Sequence, residues 1–233
     1  MLTFIGILIL VLVILKSTIQ KWMPAVVYRI MSFVHSNLAD TKVEHFKEAL
    51  SRIKTDNKNR KLEILELGIG CGENFKYFPK DSNVTILDKT DIFLPYLTES
   101  IKKNNRQDLN ISKLVINNAE SMVDIQSNSM DLVVHTFTLC SVGDFKKVLN
   151  ECYRVLKSGG VAIFMEHSLD VENLPRRLLQ RTIRPMCGDC KFLDMKKVLN
   201  SGSYDEVVLK KYKVETNFFT FINPVVYGYG IKN

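Results

Sequence analysis

The sequence predicts an α/β fold: a doubly wound parallel sheet that ends in an antiparallel strand pair and is preceded by an N-terminal membrane-anchor helix. Apolar runs of strand length alternate with segments of helical spacing, which is typical of βαβ units. A glycine-rich turn follows the first run, and two strand-like segments without a helix between them come near the end of the chain. We expect an anchor and interfacial segment over residues 1–36 and the α/β domain over residues 37–233.

Size and charge limit the class of protein. The chain has 233 residues, carries a net charge of +7 and is 46% hydrophobic, which suits one full domain with extensions. Its lysines and arginines are spread along the chain without a dense basic stripe, so nucleic acid is not an expected partner. A position beside an anionic bilayer is the simpler explanation of the basic charge.

The five cysteines indicate a reducing compartment, because their number is odd and their spacing is not that of a disulfide framework. Cys187 and Cys190 form a lone C-x-x-C pair. A metal site would need a second pair of ligands, and the spacing of the four histidines does not supply one. We therefore expect no metal site and two ordinary thiols.

Residues 4–15 are continuously apolar and uncharged. As a helix they cover roughly 20 Å, against a hydrocarbon core of about 30 Å. Two interpretations remain: a tilted helix that spans the membrane, or a segment embedded in one leaflet with Trp22 and Tyr28 among the headgroups. A core helix is a poorer match, because the run is apolar on every face. Since Lys16 and Lys21 follow the run, the positive-inside rule places the domain in the cytosol.

The first predicted strand runs into a turn that reads Glu66-x-Gly68-x-Gly70-x-Gly72. Glycine lets a ligand approach the backbone amides at the carboxyl end of a strand. A dinucleotide fingerprint would need a glycine where Glu73 stands, and this carboxylate would repel a pyrophosphate. The pattern resembles motif I of the class I S-adenosylmethionine (SAM) methyltransferases, which implies a Rossmann-like fold and SAM as cofactor. SAM carries no phosphate and tolerates nearby acids.

The second predicted strand, residues 83–87, is followed by Asp88. The interval from Gly68 to Asp88 is about the ~20 residues expected between a glycine turn and a ribose-binding acid. A carboxylate accepts two hydroxyl hydrogen bonds from the edge of a ribose. We therefore take Asp88 as a ribose ligand, with a plain turn aspartate as the alternative.

The third predicted strand, residues 111–116, runs into Asn117-Asn118-Ala119-Glu120. Many class I methyltransferases have Gly-Asp-Ala-Glu at this place. There the acid accepts from the adenine amino group and the alanine amide faces the ring. The resemblance implies that Asn118, as a weaker acceptor, and Ala119 contact adenine.

The remaining elements follow from the spacing of apolar residues. Val43 and Phe46 begin a helical pattern that predicts a helix ahead of the sheet. The helix before the fifth strand is expected to end at Gly159 in a glycine cap. In chain order, the predicted helices are 41–53, 92–103 and 144–156, and the predicted strands are 62–67, 83–87, 111–116, 130–137, 161–165, 207–214 and 217–222.

Motifs longer than the glycine turn indicate one family within the class I SAM methyltransferases. The chain is similar to the membrane-anchored alkyl thiol S-methyltransferases, the seventh group of the methyltransferase-like proteins. The resemblance implies SAM-dependent methylation of small lipophilic thiols at the endoplasmic reticulum membrane, sometimes at lipid droplets. It carries Gly68, Gly70, Gly72 and Asp88 over as cofactor residues. The motifs that carry the resemblance are the apolar N-terminus, Lys21–Pro24, Gly72–Pro79, Thr138–Val142, Arg154–Gly160, Met165–His167 and Tyr227–Gly230.

The sequence also departs from this family. Asp88-Lys-Thr-Asp91 replaces an Asp-Pro-Asn-type turn, His135 stands in place of a cysteine, and residues 182–203 match poorly. These departures leave the identity of the acceptor open. The oligomeric state is open as well.

Methyl transfer from a sulfonium mainly requires alignment of the reacting atoms and exclusion of water. A free thiol has a pKa of ~8.5, so part of it is already thiolate at neutral pH. If a base exists, Glu166 and His167 at the tip of the fifth strand are the candidates, with His135 behind them; the alternative is that they fix loops. Other functions considered are a catalytically weak SAM-binding protein at a membrane or lipid droplet, a methyltransferase for another small lipophilic acceptor, and a nicotinamide oxidoreductase.

Overall fold

The computed structural model describes residues 32–55, 60–70, 72–187, 189–215 and 220–233. Most of the predicted anchor segment, residues 1–31, lies outside the described residues. Within the described ranges, no helix is both long and apolar enough to cross a bilayer. A helical stretch at residues 32–37 leads into the first complete helix.

Seven strands form one sheet with helices on both faces. The strands are β1 Glu63–Leu67, β2 Asn83–Asp88, β3 Asn110–Ile116, β4 Met130–Thr136, β5 Leu156–His167, β6 Glu206–Tyr212 and β7 Val225–Ile231. The helices are α1 Ala39–Leu50, α2 Leu94–Lys103, α3 Phe145–Val155, α4 Leu174–Ile183 and α5 Met195–Asn200, with 3-10 turns at Phe75–Tyr77, Arg184–Met186 and Thr220–Ile222.

The strand order is β3-β2-β1-β4-β5-β7-β6. Strands β1 to β5 are mutually parallel, and β7 is antiparallel to both β5 and β6. The predicted doubly wound sheet with a closing antiparallel pair is therefore confirmed. All seven residues of β4 are buried, as expected of a central strand covered on both faces. The order reverses between β1 and β4, and ligands bind at the carboxyl ends of the strands beside such a switch point.

The second closing strand lies further along the chain than predicted. Residues 220–222 form a 3-10 turn, so the predicted strand 217–222 is wrong over its described part, and β7 begins at Val225. Glycine lowers strand propensity, so Gly228 and Gly230 weaken the strand signal of this segment. The structure needs both glycines: a Cβ at Gly228 would lie 1.8 Å from the Val208 oxygen, and one at Gly230 would lie 2.5 Å from the Tyr204 ring.

The predicted glycine cap after α3 is also wrong. The helix ends at Val155, and Leu156 is already extended and begins β5. Gly159 has a φ of +78° inside this strand, next to a shift in the register between β4 and β5. A strand irregularity, and not a helix end, therefore explains this glycine.

Helix α1 buries a different face from the one that the apolar spacing predicts. Val43 is 54% exposed, whereas Lys42 and His45 are buried with Phe46. The buried polar side chains have partners that the sequence does not reveal; His45 Nε2, for example, lies 3.3 Å from the Phe164 carbonyl oxygen. Ahead of α1, Val34 is buried against the sheet, although it precedes the predicted domain boundary at residue 37.

Candidate functional site

A cavity of about 550 Å³ opens at the carboxyl edge of the sheet, beside the switch point between β1 and β4. The turn after β1, the end of β2 and the loops after β3 and β4 form its walls. Among the predicted cofactor residues, Gly68, Gly70, Asp88, Asn118 and Ala119 line this cavity. Residues from three strand ends thus converge at one place.

The glycines of the turn have different surroundings. A Cβ at Gly68 would lie 2.6 Å from Thr138 Oγ1, whereas a Cβ at Gly70 would meet no atom within 4 Å. Both residues have positive φ angles, +68° and +46°. The open space beside Gly70 belongs to the cavity, so a ligand can lie directly against the backbone there. Gly72 does not line the cavity and packs against α2, where a Cβ would lie 3.3 Å from Leu97 and Ser100.

Asp88 joins the end of β2 to the glycine turn. Its Oδ2 accepts a hydrogen bond from the Ile69 N–H at 2.9 Å, and its Oδ1 accepts one from the Thr90 N–H at 3.1 Å. Burial raises the pKa of Asp88 above its usual value, while these backbone donors act in the opposite direction. The carboxylate is held at the cavity wall with lone pairs left to accept from a hydroxyl-bearing ligand.

The loop after β3 supplies the opposite wall. Asn118 is exposed and Ala119 is buried at the cavity surface. Glu120 Oε1 accepts from the Gly143 N–H at 2.7 Å and from the Asp144 N–H at 3.3 Å. Glu120 therefore fastens this loop to the start of α3, where Asp144 is the N-cap.

Glu66 lies behind the cavity wall and not on its surface. Asn74 Nδ2 donates to Glu66 Oε1 at 2.6 Å, and Asn74 Oδ1 accepts from Lys42 Nζ at 2.6 Å. Lys42 Nζ also lies 2.6 Å from Nδ1 of His35, which lines the cavity. A hydrogen-bonded chain of four side chains thus runs from a buried carboxyl group to the cavity.

Burial changes the protonation of this chain. It raises the pKa of Glu66 to about 8 and lowers the pKa of Lys42 to about 7. It also lowers the pKa of His35 well below its usual value, so this imidazole is neutral. Groups with such pKa values next to a cavity are candidates for proton transfer.

Glu166 holds the loop after β4. Its Oε1 accepts from the Thr138 N–H and the Leu139 N–H, both at 3.1 Å, and lies 3.0 Å from His135 Nδ1. The side chains of Glu166 and His135 are both fully buried. Just before this loop, Phe137 has a φ of +54°, a strained conformation for an aromatic residue, and it lines the cavity. The contacts of Glu166 are those of a positioning residue.

The His167 ring lies next to the Phe137 ring, with the ring centroids 5.9 Å apart. Its Nε2 is 2.8 Å from Cys190 Sγ, and its ring stacks on Phe192. A hydrogen bond with Cys140 lowers the pKa of the Cys190 thiol, and the His167 ring lowers it further. The hydrogen bond between the two cysteines raises the pKa of Cys140. Neither His167 nor Glu166 lines the cavity itself, and whether either accepts a proton stays a prediction.

Sequence reasoning missed several residues of this site. A buried lysine on an apolar helix face gives no sequence signal, so Lys42 and its neighbour His35 were not found. Asn74 follows the glycine turn closely, and its position was the one available clue. The strained Phe137 belongs to the predicted fourth strand, and nothing in its residue type indicates a positive φ.

Comparison with known proteins adds to this geometry. The sequence matches the family model of a methyltransferase domain over residues 65–164. Thiol S-methyltransferase TMT1B from Homo sapiens is 31% identical, over 80% of this chain and 78% of that protein. Thiol S-methyltransferase TMT1A from Homo sapiens is 29% identical, over 91% of this chain and 87% of that protein. A solved SAM-dependent methyltransferase from Methanosarcina mazei has a TM-score of 0.55 at 19% identity, over 78% of this chain and 96% of that chain, which is a likeness of fold.

Proposed function

We propose that this chain, which belongs to the family of the thiol S-methyltransferases TMT1A and TMT1B, methylates the sulfur of small lipophilic thiols at a membrane surface. The family and the methyltransferase-domain match make the chain a SAM-dependent methyltransferase. One observation supports the proposed reaction: the cavity combines exposed backbone with open space at Gly70, a carboxylate at Asp88 and apolar walls. We call the open space beside the Gly70 backbone the cradle.

The donor side fits SAM. Bound SAM supplies a methyl group on a cationic sulfur, which a thiolate can accept. Gly68 and Gly70 would hold the amino-acid part against bare backbone, and Asp88 would accept from the ribose hydroxyls. Asn118 and Ala119 would contact the adenine. The pocket at Gly70 that a Cβ would fill supports this fit.

The other walls suit a lipophilic acceptor. Leu87, Phe93, Phe137 and Val142 line the cavity. Burial of apolar ligand surface contributes about 25 cal/mol per Å², so these walls favour an acceptor with hydrocarbon attached to its sulfur. They also keep water away from the reacting atoms. A thiol acceptor needs only modest help to lose its proton, because its pKa of ~8.5 lies close to neutral pH.

Two groups of residues are candidates to take that proton. His167 and Glu166 remain the candidates of the sequence argument. The structure adds His35, which reaches the cavity surface and is backed by Lys42 at 2.6 Å. Because both His35 and a large fraction of Lys42 are neutral at pH 7, this pair can hold a proton released at the cavity.

Helix α4 supports the membrane part of the proposal. Leu174, Leu178 and Leu179 are 53%, 52% and 41% exposed, and Arg181 and Arg184 are exposed beside them. Exposed leucines next to arginines are typical of a helix that lies on an anionic membrane surface. Together with the predicted anchor, this helix agrees with a site at the endoplasmic reticulum membrane that faces the cytosol, and with association with lipid droplets.

The test is methyl transfer by the full chain in detergent. The protein is incubated with methyl-labelled SAM and a panel of lipophilic thiols, phenols and amines, and the products are identified by mass spectrometry. We expect the label on thiol sulfur. Asp88→Ala should lower transfer at least tenfold, whereas Asp91→Ala, which removes an exposed acid of the same turn, should leave transfer unchanged.

Other outcomes separate the alternatives. Label on phenols or amines alone would indicate a different small acceptor. Calorimetric binding of S-adenosylhomocysteine without transfer to any acceptor would indicate a catalytically weak binding protein. Binding of NADH but not of S-adenosylhomocysteine would indicate an oxidoreductase and would overturn the proposal.

A further inference from the structure

Three side chains of metal-ligand type meet behind the cavity wall. Cys140 belongs to the loop after β4, His167 is the last residue of β5, and Cys190 follows α4. The two sulfur atoms and a ring nitrogen all lie within 4.8 Å of one another. Cys140 and Cys190 are buried and His167 is half-buried, so the group is shielded from bulk solvent.

Hydrogen bonds to main-chain carbonyls hold these three positions without the use of the three ligand side chains. The Lys191 N–H donates to the Cys140 carbonyl at 2.9 Å, and Lys191 Nζ donates to the Val142 carbonyl at 2.5 Å. The Leu169 N–H donates to the Leu193 carbonyl at 2.8 Å, which joins the segment after His167 to the loop that contains Cys190. The three ligand atoms therefore stay together without a metal, as a binding site requires.

The chemistry of the group fits a thiophilic divalent cation. Zn²⁺ prefers cysteine sulfur and histidine nitrogen in tetrahedral geometry, with bonds of about 2.3 Å and 2.0 Å, which set the ligand atoms about 3.5 Å apart. The 2.8 Å between His167 Nε2 and Cys190 Sγ is a hydrogen bond that a metal ion would replace with a small outward shift. Two thiolates and a neutral imidazole balance the charge of Zn²⁺, which suits a buried place. Ser141 Oγ, 3.4 Å from Cys140 Sγ, can support the ligand from outside.

We infer that Cys140, His167 and Cys190 bind one Zn²⁺ ion, with water at the fourth position. This site goes beyond the proposed methyl transfer and does not depend on it. It differs from the sequence expectation of no metal site, which was based on the lone C-x-x-C pair and on the spacing of the four histidines. Only the second cysteine of that pair belongs to the cluster; Cys187 does not. A His167 that binds Zn²⁺ through Nε2 is not available to accept the thiol proton.

Two other chemistries are available to the same atoms: a Cys140–Cys190 disulfide, and a reactive Cys190 thiolate paired with His167. A disulfide would remove one hydrogen from each thiol and leave the chain lighter by two hydrogens. A thiolate pair would bind no stoichiometric metal and would react with iodoacetamide at Cys190. The measurements below distinguish these outcomes.

The test uses the full chain purified in detergent without chelators. We expect elemental analysis to find one zinc per chain. Cys140→Ser, His167→Ala and Cys190→Ser should each lower the zinc content at least tenfold. Cys187→Ser and Cys152→Ser, a buried free thiol on α3, are the matched controls and should retain the metal. Binding of S-adenosylhomocysteine verifies that each variant is folded.

A second measurement uses only the wild-type protein, so it remains valid if some variants fail to fold. The wild-type protein is stripped of metal and titrated with Co²⁺; we expect saturation at one ion per chain and a charge-transfer band of thiolate-bound cobalt. The inference is overturned if the folded wild type holds no zinc and shows no such band. It is also overturned by a chain lighter by two hydrogens, by alkylation of Cys190 that added Zn²⁺ does not prevent, or by loss of zinc in Cys187→Ser.

Discussion

At the scale of single residues, the turn after β1 contains two glycines that the same motif requires for different reasons. Gly68 faces the Thr138 side chain, so a larger residue there collides with the protein itself. Gly70 faces the open cavity, so a larger residue there collides only with a ligand. The motif in the sequence identifies both positions, but only the structure separates their roles.

Gly70→Ala should weaken binding of S-adenosylhomocysteine at least tenfold, because its methyl group enters the cradle. Its stability should fall by only about 1–2 kcal/mol, the cost of a positive φ for alanine. Gly68→Ala should lose more stability, because it adds the contact with Thr138 to the same backbone cost. Calorimetry of ligand binding and thermal unfolding measure the two effects. Unchanged binding by Gly70→Ala would contradict the position of the cradle.

Glu66 gives a prediction about pH. Its pKa is about 8 in the folded protein against 4.5 in the unfolded chain, so the folded state holds a proton that the unfolded state releases between these values. The contribution of Glu66 to stability is therefore fully present below pH 4.5 and is lost as the pH rises through 8. The stability of the wild type relative to Glu66→Gln should fall steadily from pH 5 to 8 in denaturant unfolding. Glu44→Gln, at an exposed position, is the control; a flat or rising difference for Glu66→Gln would refute the prediction.

At the scale of elements, the central strands were predictable because they are apolar runs bounded by turn residues. Strands β1, β2, β3 and β4 lie within about a residue of their predicted bounds, and β5 begins five residues before its predicted start. The strand β7 was not predictable in the same way, since its glycines serve close contacts between strands that are distant in sequence. Apolar spacing also predicts that Val43 is buried in α1. The structure buries Lys42 instead, because its polar partners lie on other parts of the chain.

Gly228→Ala should destabilise the sheet by several kcal/mol, more than the ~1–3 kcal/mol usual for overpacking, because the added Cβ lies 1.8 Å from a backbone oxygen. Gly202→Ala is the matched control, since its Cβ would lie 3.3 Å from the Tyr204 ring at ordinary backbone angles. Denaturant unfolding followed by circular dichroism measures both. Equal stability of the two variants would show that the β6–β7 pairing is looser than described.

At the scale of the whole molecule, the residues just ahead of α1 lie at the edge of the sheet where the cavity opens. Val34 packs against Met165 and Val225, and His35 lines the cavity. A chain that begins at residue 32 should therefore fold and bind S-adenosylhomocysteine. A chain that begins at residue 37, the predicted domain boundary, should lose stability and bind at least tenfold more weakly. Equal behaviour of the two chains would show that residues 32–36 are dispensable.

The same edge of the molecule includes the start of α4, which follows β5. On the chain that begins at residue 32, replacement of Leu174 and Leu178 by glutamate should lower binding to phosphatidylserine vesicles at least tenfold. Each buried leucine contributes about 1.5–3 kcal/mol, and the added charges repel the lipid headgroups. Val123→Glu, at an exposed valine outside α4, should leave vesicle binding nearly unchanged. Sedimentation with vesicles measures this, and equal losses in both variants would exclude α4 as the contact.

The antiparallel course of β7 has a practical consequence for experiments. It returns the chain to the amino ends of the parallel strands, where the Gly159 N–H donates to the Lys232 carbonyl at 2.7 Å. Asn233 therefore lies across the full length of the sheet from the cavity mouth. A fluorophore or affinity handle joined after Asn233 can report on the enzyme while the entrance for donor and acceptor stays clear.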